Sequence, residues 1–247
     1  MRAIIEKSGS VLKEGKITLP SETKHIKLDI GLSYNAPHSQ KWLSEEKGLI
    51  VFGFEPNPDS ITSIKNGAIK RNIAHGDPLN KEHVGKSFFL VPCALSDAEG
   101  MFLFHCTAQC DRCDTGSSSL YKPSNFPIEK MIHVPVFRLD SFFKLFPFES
   151  HPIIDYIKID AQGADLDIVK GAGAYLANHV AVVTMESEDS QYQGTVNSKE
   201  SMMEYMKSVG FEEVVNHPNQ CFAADPTFVN TRFKNLVGSS IFYFQSG

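Results

Sequence analysis

With 247 residues, a formal net charge of −5, and 42% hydrophobic against 21% charged residues, the chain has material for one large globular core. The acidic balance and the lack of a dense Lys/Arg run argue against broad nucleic-acid binding, which needs a basic face. No stretch reaches the roughly 20 apolar residues of a bilayer span, residues 1–15 lack the apolar centre of a signal peptide, and five cysteines suggest no disulfide framework; a cytoplasmic protein without nucleic-acid or membrane partners is expected.

Residues 1–24 show no strong period and read as an arm or short helix ahead of a domain over 25–247. A strand is predicted over 26–30, then a helix from Pro37 to Lys47 with Pro37 in its first turn. Leu49–Phe54 reads as the second strand, broken by Pro56-Asn57-Pro58 before a helix near 58–69. Residues 87–94 predict a third strand, which Pro92 assigns to an edge or a strand end. Short strands at 101–105 and 133–137 flank an insertion near 106–130, rich in Cys, Asp, Ser, Gly and Pro, which reads as a long functional loop.

A short helix at 139–146, a strand at 153–159, a helix near 164–177 and a strand at 180–186 follow. After a polar loop at 187–196, Asn197 or Ser198 is the candidate cap of a helix to about 209. Its three methionines suit adaptable packing against the sheet or a neighbouring subunit, which leaves a homodimer open. Segments 211–215 and 240–244 alternate like strands and are expected to pair as a terminal hairpin. Strands alternating with helices over the first two-thirds predict an α/β fold: a doubly wound, mostly parallel sheet with helices on both faces.

Three apolar runs deliver an acid at or near their ends: Asp29 before Gly31, Glu55 before Pro56, and Asp160 before Gly163. In open α/β sheets ligands collect at the carboxyl ends of strands, so a shared crevice is expected. Asp29-Ile30-Gly31 opens a strand-to-helix turn whose N–H groups can face a ligand, although Gly31 can equally serve the turn alone. Asn35 stands where a further glycine is often needed, and Asn tolerates left-handed backbone. Glu55 lies 24 residues beyond Gly31, a spacing at which an acid commonly holds the ribose hydroxyls of a nucleoside cofactor.

Five blocks occur in order: Leu28-Asp29-Ile30-Gly31, Val51–Pro58, Ala94–Gly100, Val136–Phe142 and Ile157–Asp165. Together they resemble the FkbM family of S-adenosylmethionine-dependent methyltransferases over roughly residues 25–215. The resemblance implies a seven-stranded, Rossmann-like class I fold, S-adenosyl-L-methionine as cofactor, and O-methylation of a hydroxyl on a sugar, glycan or small metabolite. By position it implies that Asp29 and Gly31 lie beside the methionine part of the cofactor, with Ser33 and Asn35 in the same loop. Glu55, followed by Pro56, would bind the ribose, Ser96 and Asp97 would lie near the adenine, and Asp160 would face the methyl group and the acceptor.

Two departures stand out: the family's second glycine in the loop is Asn35 here, and its usual Val-Glu-Gly after the strand acid is Ala161-Gln162-Gly163. An alcohol is a poor nucleophile until its proton leaves, so Asp160 is the expected base, with Glu186 as a second acid reaching the same mouth. His133 and His217 rank lower. The loop 115–120 offers hydroxyls for a substrate lid, and Phe142, Phe143, Phe146 and Phe148 are either core or an acceptor pocket. Cys106, Cys110 and Cys113 have the C-x3-C-x2-C spacing of radical S-adenosylmethionine enzymes. Unligated thiols, with no metal, are the preferred reading, ahead of a zinc site that adds His105 to the three cysteines and of an iron–sulfur cluster. The remaining alternative is a catalytically silent nucleoside-binding or scaffold protein.

Overall fold

The computed structural model describes residues 1–67, 76–108, 115–188, 190–214 and 225–236. In chain order the elements begin with α1 (Arg2–Lys7), β1 (Leu12–Lys13), β2 (Lys16–Ile17), β3 (His25–Ile30), α2 (Pro37–Glu45), β4 (Leu49–Phe54) and α3 (Pro58–Asn66). The middle of the chain forms β5 (Phe88–Val91), β6 (Ala94–Ser96), β7 (Gly100–Thr107), β8 (Lys122–Pro123), β9 (Ile128–Arg138) and α4 (Leu139–Phe143). The last part forms β10 (Ile154–Ile159), α5 (Asp165–Gly171), α6 (Ala174–His179), β11 (Val180–Met185), β12 (Tyr192–Gln193), α7 (Lys199–Ser208), β13 (Phe211–Val214) and β14 (Thr227–Asn230).

Seven strands make one sheet in the order β13-β14-β11-β10-β3-β4-β5. Neighbours from β11 through β5 pair in parallel, and only β14 runs against its neighbours, β11 and β13. The fold is therefore mixed α/β with a mostly parallel central sheet. Each strand of β3, β4, β10 and β11 is buried along nearly its whole length, the pattern of a parallel sheet covered on both faces. Alternate residues feed two apolar clusters. Phe52, Ile157 and Val183 meet side chains of α4, α5, α6 and α7 in the first. Val51, Tyr156 and Val182 meet Trp42 of α2 and Ile64 of α3 in the second.

Local chemistry sets the helix starts. Pro37 and Pro58 occupy first turns, the Asn57 side chain caps α3 at Asp59 N–H, and Ser198 caps α7 at Ser201 N–H. Segment 1–24 is packed onto the domain, with Ile5 and Ile17 in the first cluster. The strand expected over 87–94 divides at Pro92: β5 is an edge of the main sheet, and β6 turns away into a second, three-stranded sheet ordered β6-β9-β7. There β7 runs on to Thr107 and β9 begins at Ile128, so both ends of the segment expected to be a loop are paired strand. The helix expected near 164–177 is two helices, broken at 172–173. In the terminal pair, β13 takes Thr227–Asn230 as its partner; the expected partner, 240–244, lies outside the described residues.

Four phenylalanines noted as core or pocket resolve as core. Phe142, Phe143 and Phe146 are fully buried, Phe142 stacks edge-on against Phe52 at 5.1 Å, and Phe148 lies 4.8 Å from Phe146. Met202 and Met206 of α7 are likewise buried in the first cluster. Among the described residues no helix is long and apolar enough to cross a membrane.

Candidate active site

Parallel pairing in register brings the carboxyl ends of β3, β4 and β10 to one edge, with Asp29 beside Lys158 on β10 and beside Gly53 on β4. A cavity of about 920 Å³ opens there. Asp29, Gly31, Ser33, Asn35, Glu55, Pro56, Asp160 and Glu186 all line it. Ser96 and Asp97 do not. Ser96 ends strand β6 with its hydroxyl on Asp97, and the Asp97 carbonyl accepts Arg138 Nη1 at 2.9 Å; Cys93, Ala94 and Leu95 form that part of the wall instead. The early turn of the chain into the second sheet explains the displacement.

Gly31 adopts φ +81°, and a Cβ there would stand 1.8 Å from the Asp160 carbonyl oxygen. The loop after β3 and the end of β10 thus meet backbone to backbone. Ser33, Ala36 and Gln162 also have positive φ, at 54°, 47° and 55°. Non-glycine residues hold this conformation at a cost, and such strain gathers at functional sites.

Lys158 is the cation at the centre. Its ammonium donates to the Gly31 carbonyl at 2.9 Å and lies 3.2 Å from Asp160 Oδ2 and 3.7 Å from Asp29 Oδ1. Burial alone would lower its pKa, but the carboxylates of Asp160 and Asp29 outweigh that and hold it raised. Asp29 accepts Ser39 Oγ at 2.6 Å and is 1% exposed, so it braces the loop and has little surface for a ligand.

Glu55 Oε2 accepts Leu32 N–H at 3.2 Å, and Oε1 accepts Asn57 N–H at 2.8 Å. Burial pushes its carboxyl up to about 8 despite both hydrogen bonds. Asp165, wholly buried beneath the site, is raised to about 8 for the same reason. An unfolded Glu loses its proton near 4.5, so over the interval up to pH 8 the unfolded chain binds fewer protons at this position. The Glu55 contribution to stability is therefore whole below about pH 4.5 and is lost as pH rises through 8. Glu55→Gln is expected to flatten the fall in melting temperature between pH 5 and pH 8 by a few degrees. Melts with the same slope in both proteins would show that Glu55 ionises normally.

At the other end, burial raises Asp160, but the adjacent Lys158, Glu186 and Gln162 more than reverse this, and the carboxyl is held below its usual range. Glu186 is raised, first by burial and then by the charge of Asp160. Gln162 Nε2 donates to Asp160 Oδ1 at 2.7 Å and to Glu186 Oε2 at 2.6 Å. Sequence reasoning missed Lys158 as the hub, and it also missed Tyr192, whose hydroxyl lies 2.5 Å from Gln162 Oε1 and 2.9 Å from the Ser117 carbonyl. Asn197, one of two candidate caps, instead accepts Leu166 N–H and donates to the Glu186 carbonyl at 3.0 Å.

Gly116, Ser117, Ser118 and Leu120 of the 115–120 loop line the cavity. His133 lies on β9, opposite Leu103, and does not line it; His217 is outside the described residues. Cys106 packs with Phe104, Val134 and Val136 in a small apolar cluster, while Cys110 and Cys113 are outside the described residues. Among the described residues no group of His, Cys, Asp or Glu is arranged to hold a metal ion.

The family model of the methyltransferase FkbM domain matches residues 27–213. A crystal structure of the methyltransferase FkbM from Methylobacillus flagellatus KT is similar in fold, with TM-score 0.50 and 13% identity over 90% of this chain. The present chain spans 47% of that chain's length. An antibiotic-related methyltransferase aligns over 88% of this chain and 96% of its own, with 12% identity and TM-score 0.34. No curated protein matches the chain by sequence. The family match runs from β3 to β13 and takes in every wall of the cavity, and the chain belongs to the FkbM methyltransferase family.

Proposed function

We propose that the chain is an S-adenosylmethionine-dependent O-methyltransferase on a doubly wound class I sheet, acting on a hydroxyl of a sugar, glycan or small metabolite. The observation that carries this reading is the convergence of Asp29, Glu55 and Asp160 on one cavity beside Gly31. The residues suit the cofactor. The cavity has the size of a small-molecule site. Each Glu55 oxygen takes one backbone N–H and keeps acceptor capacity for a ribose hydroxyl. Acid-rich walls favour a cationic ligand.

The bound cofactor supplies an electrophilic methyl group on a sulfonium. The chain's own work is to hold the acceptor oxygen in line with that carbon and to receive its proton. A third of the Asp160 side chain is exposed. Lys158 and Gln162 keep it ionised. As the new oxygen–carbon bond forms, the hydroxyl proton becomes strongly acidic, so a carboxylate of lowered basicity suffices to take it at Oδ. One C–O bond forms, one C–S bond breaks, and one O–H proton passes to the carboxylate.

Calorimetric titration with S-adenosylhomocysteine is expected to show one site, weakened about fivefold to a hundredfold by Glu55→Ala, since two hydrogen bonds worth roughly 0.5–1.5 kcal/mol each are lost. Absence of binding to the wild type would end the reading. A tritiated-methyl screen over glycan and metabolite extracts then separates a working enzyme from a silent binding protein.

A further inference from the structure

Two loops distant in sequence are fastened to the turn that follows β10. Ser119 Oγ donates to the Gln162 carbonyl at 2.6 Å, and Thr195 Oγ1 donates to the Gly163 carbonyl. Tyr192 packs on Gly163, and its hydroxyl reaches Gln162 Oε1. The carboxamide has its oxygen turned to Tyr192, whose single O–H proton it shares with the Ser117 carbonyl, and its two N–H bonds turned to Asp160 and Glu186. The reverse orientation would set an amide oxygen against the ionised Asp160. Asp160 and Glu186 both accept from the one Gln162 Nε2, at 2.7 and 2.6 Å, which sets the two carboxyl groups side by side. Like charges held this close disfavour ionising both, so one proton is retained between them.

We propose that Gln162 is a positioning residue whose Tyr192-anchored carboxamide keeps Asp160 and Glu186 as a pair holding one proton, carried by Glu186, so that Asp160 stays ionised toward the acceptor. Lys158, at 3.2 Å from Asp160 and with no comparable contact to Glu186, decides which partner carries the proton. Burial and the charge of Asp160 raise Glu186, in agreement. The other charges felt at this pair are Asp29 on β3, His38 on α2, Glu55 after β4 and Asp165 on α5. Among the described residues, Glu188 after β11, Tyr192 on β12 and Asp225 before β14 complete them. None of these donates to both carboxyl groups as Gln162 does. The backbone of Gln162 is held at φ +55°, a conformation that glycine or asparagine adopts more easily, so the glutamine is kept for its side chain.

The catalytic meaning of this arrangement rests on the methyl-transfer reading, but the proton arrangement is testable without cofactor or acceptor. The experiment follows carboxyl carbons by 13C NMR in protein labelled at aspartate, with Asp160 assigned by the resonance missing from Asp160→Asn. Losing a donor to both carboxyl groups makes each easier to protonate. Gln162→Gly is expected to raise the pH at which Asp160 titrates by about one unit. Gln162→Glu, which adds a third carboxyl, raises it by about two units. Melting curves report whether each variant is folded, and Gln162→Gly suits the left-handed backbone. Asp160 titrating at the same pH in wild type and both variants would overturn the proposal, leaving Gln162 a structural residue whatever its effect on melting. Failure of the enzyme reading shows separately, as absent S-adenosylhomocysteine binding.

Discussion

Gly31→Ala is expected to destabilise the protein by about 3 kcal/mol or more and to abolish S-adenosylhomocysteine binding. Two costs add. Alanine is strained at φ +81°, and its methyl group would occupy space only 1.8 Å from the Asp160 carbonyl oxygen. That oxygen is backbone, and it cannot swing aside as a flexible side chain would. The adjoining ladder resists as well, since Asp160 N–H donates to the Ile30 carbonyl at 2.9 Å and Gly31 N–H to the Phe54 carbonyl at 3.1 Å. The clash is relieved only by parting β3 from β10 at the floor of the cavity. In a domain of this size the melting temperature should fall by roughly 6–12 °C. A melt within a degree or two of wild type would mean that the two backbones are not apposed as described.

Lys158→Met is expected to cost about 3–5 kcal/mol, because removing one partner of a buried ion pair leaves the other charge uncompensated. Two carboxylates lose their counter-charge here, Asp29 at 3.7 Å and Asp160 at 3.2 Å, and the Gly31 carbonyl loses a donor. The sign of the pH effect separates this from simple loss of packing. Without the cation, Asp160 takes up its proton at higher pH, so the deficit is expected to shrink as pH falls and that acid becomes neutral. Denaturant titrations at pH 5 and pH 8 provide the check, and an equal deficit at both would assign the loss to packing alone.

How much of this was legible beforehand follows from the range of the interactions. Asp29, Glu55 and Asp160 could be placed together because a parallel sheet carries strand ends to one edge, and each acid marks such an end. The helix starts at Pro37, Pro58 and Ser198 are likewise local chemistry. Ser96 and Asp97 do not line the cavity because the chain leaves the main sheet at Pro92, and nothing in a short apolar run tells which sheet it will join. Lys158 was hidden as an ordinary charged residue inside a strand; its burial and acidic neighbours could have been suspected from the apolar residues on both sides. Tyr192 and Asn197 reach the site from a loop more than 25 residues beyond Asp160, and no sequence period encodes that approach. The pairing of β13 with Thr227–Asn230 was missed for a similar reason, since 227–230 and 240–244 carry equivalent alternation in the sequence.

The left-handed backbone at Ser33, Ala36 and Gln162 has a practical consequence for anyone seeking a hardier protein. Of the four non-glycine residues with positive φ among the described residues, Ser33 and Gln162 line the cavity and Ala36 stands between two residues that do, each at a cost on the order of 1 kcal/mol that glycine would not bear. The easiest gains in heat resistance thus coincide with the residues that shape the ligand's surroundings. Selection for thermal endurance alone would relax this rim first, and turnover must be screened alongside it.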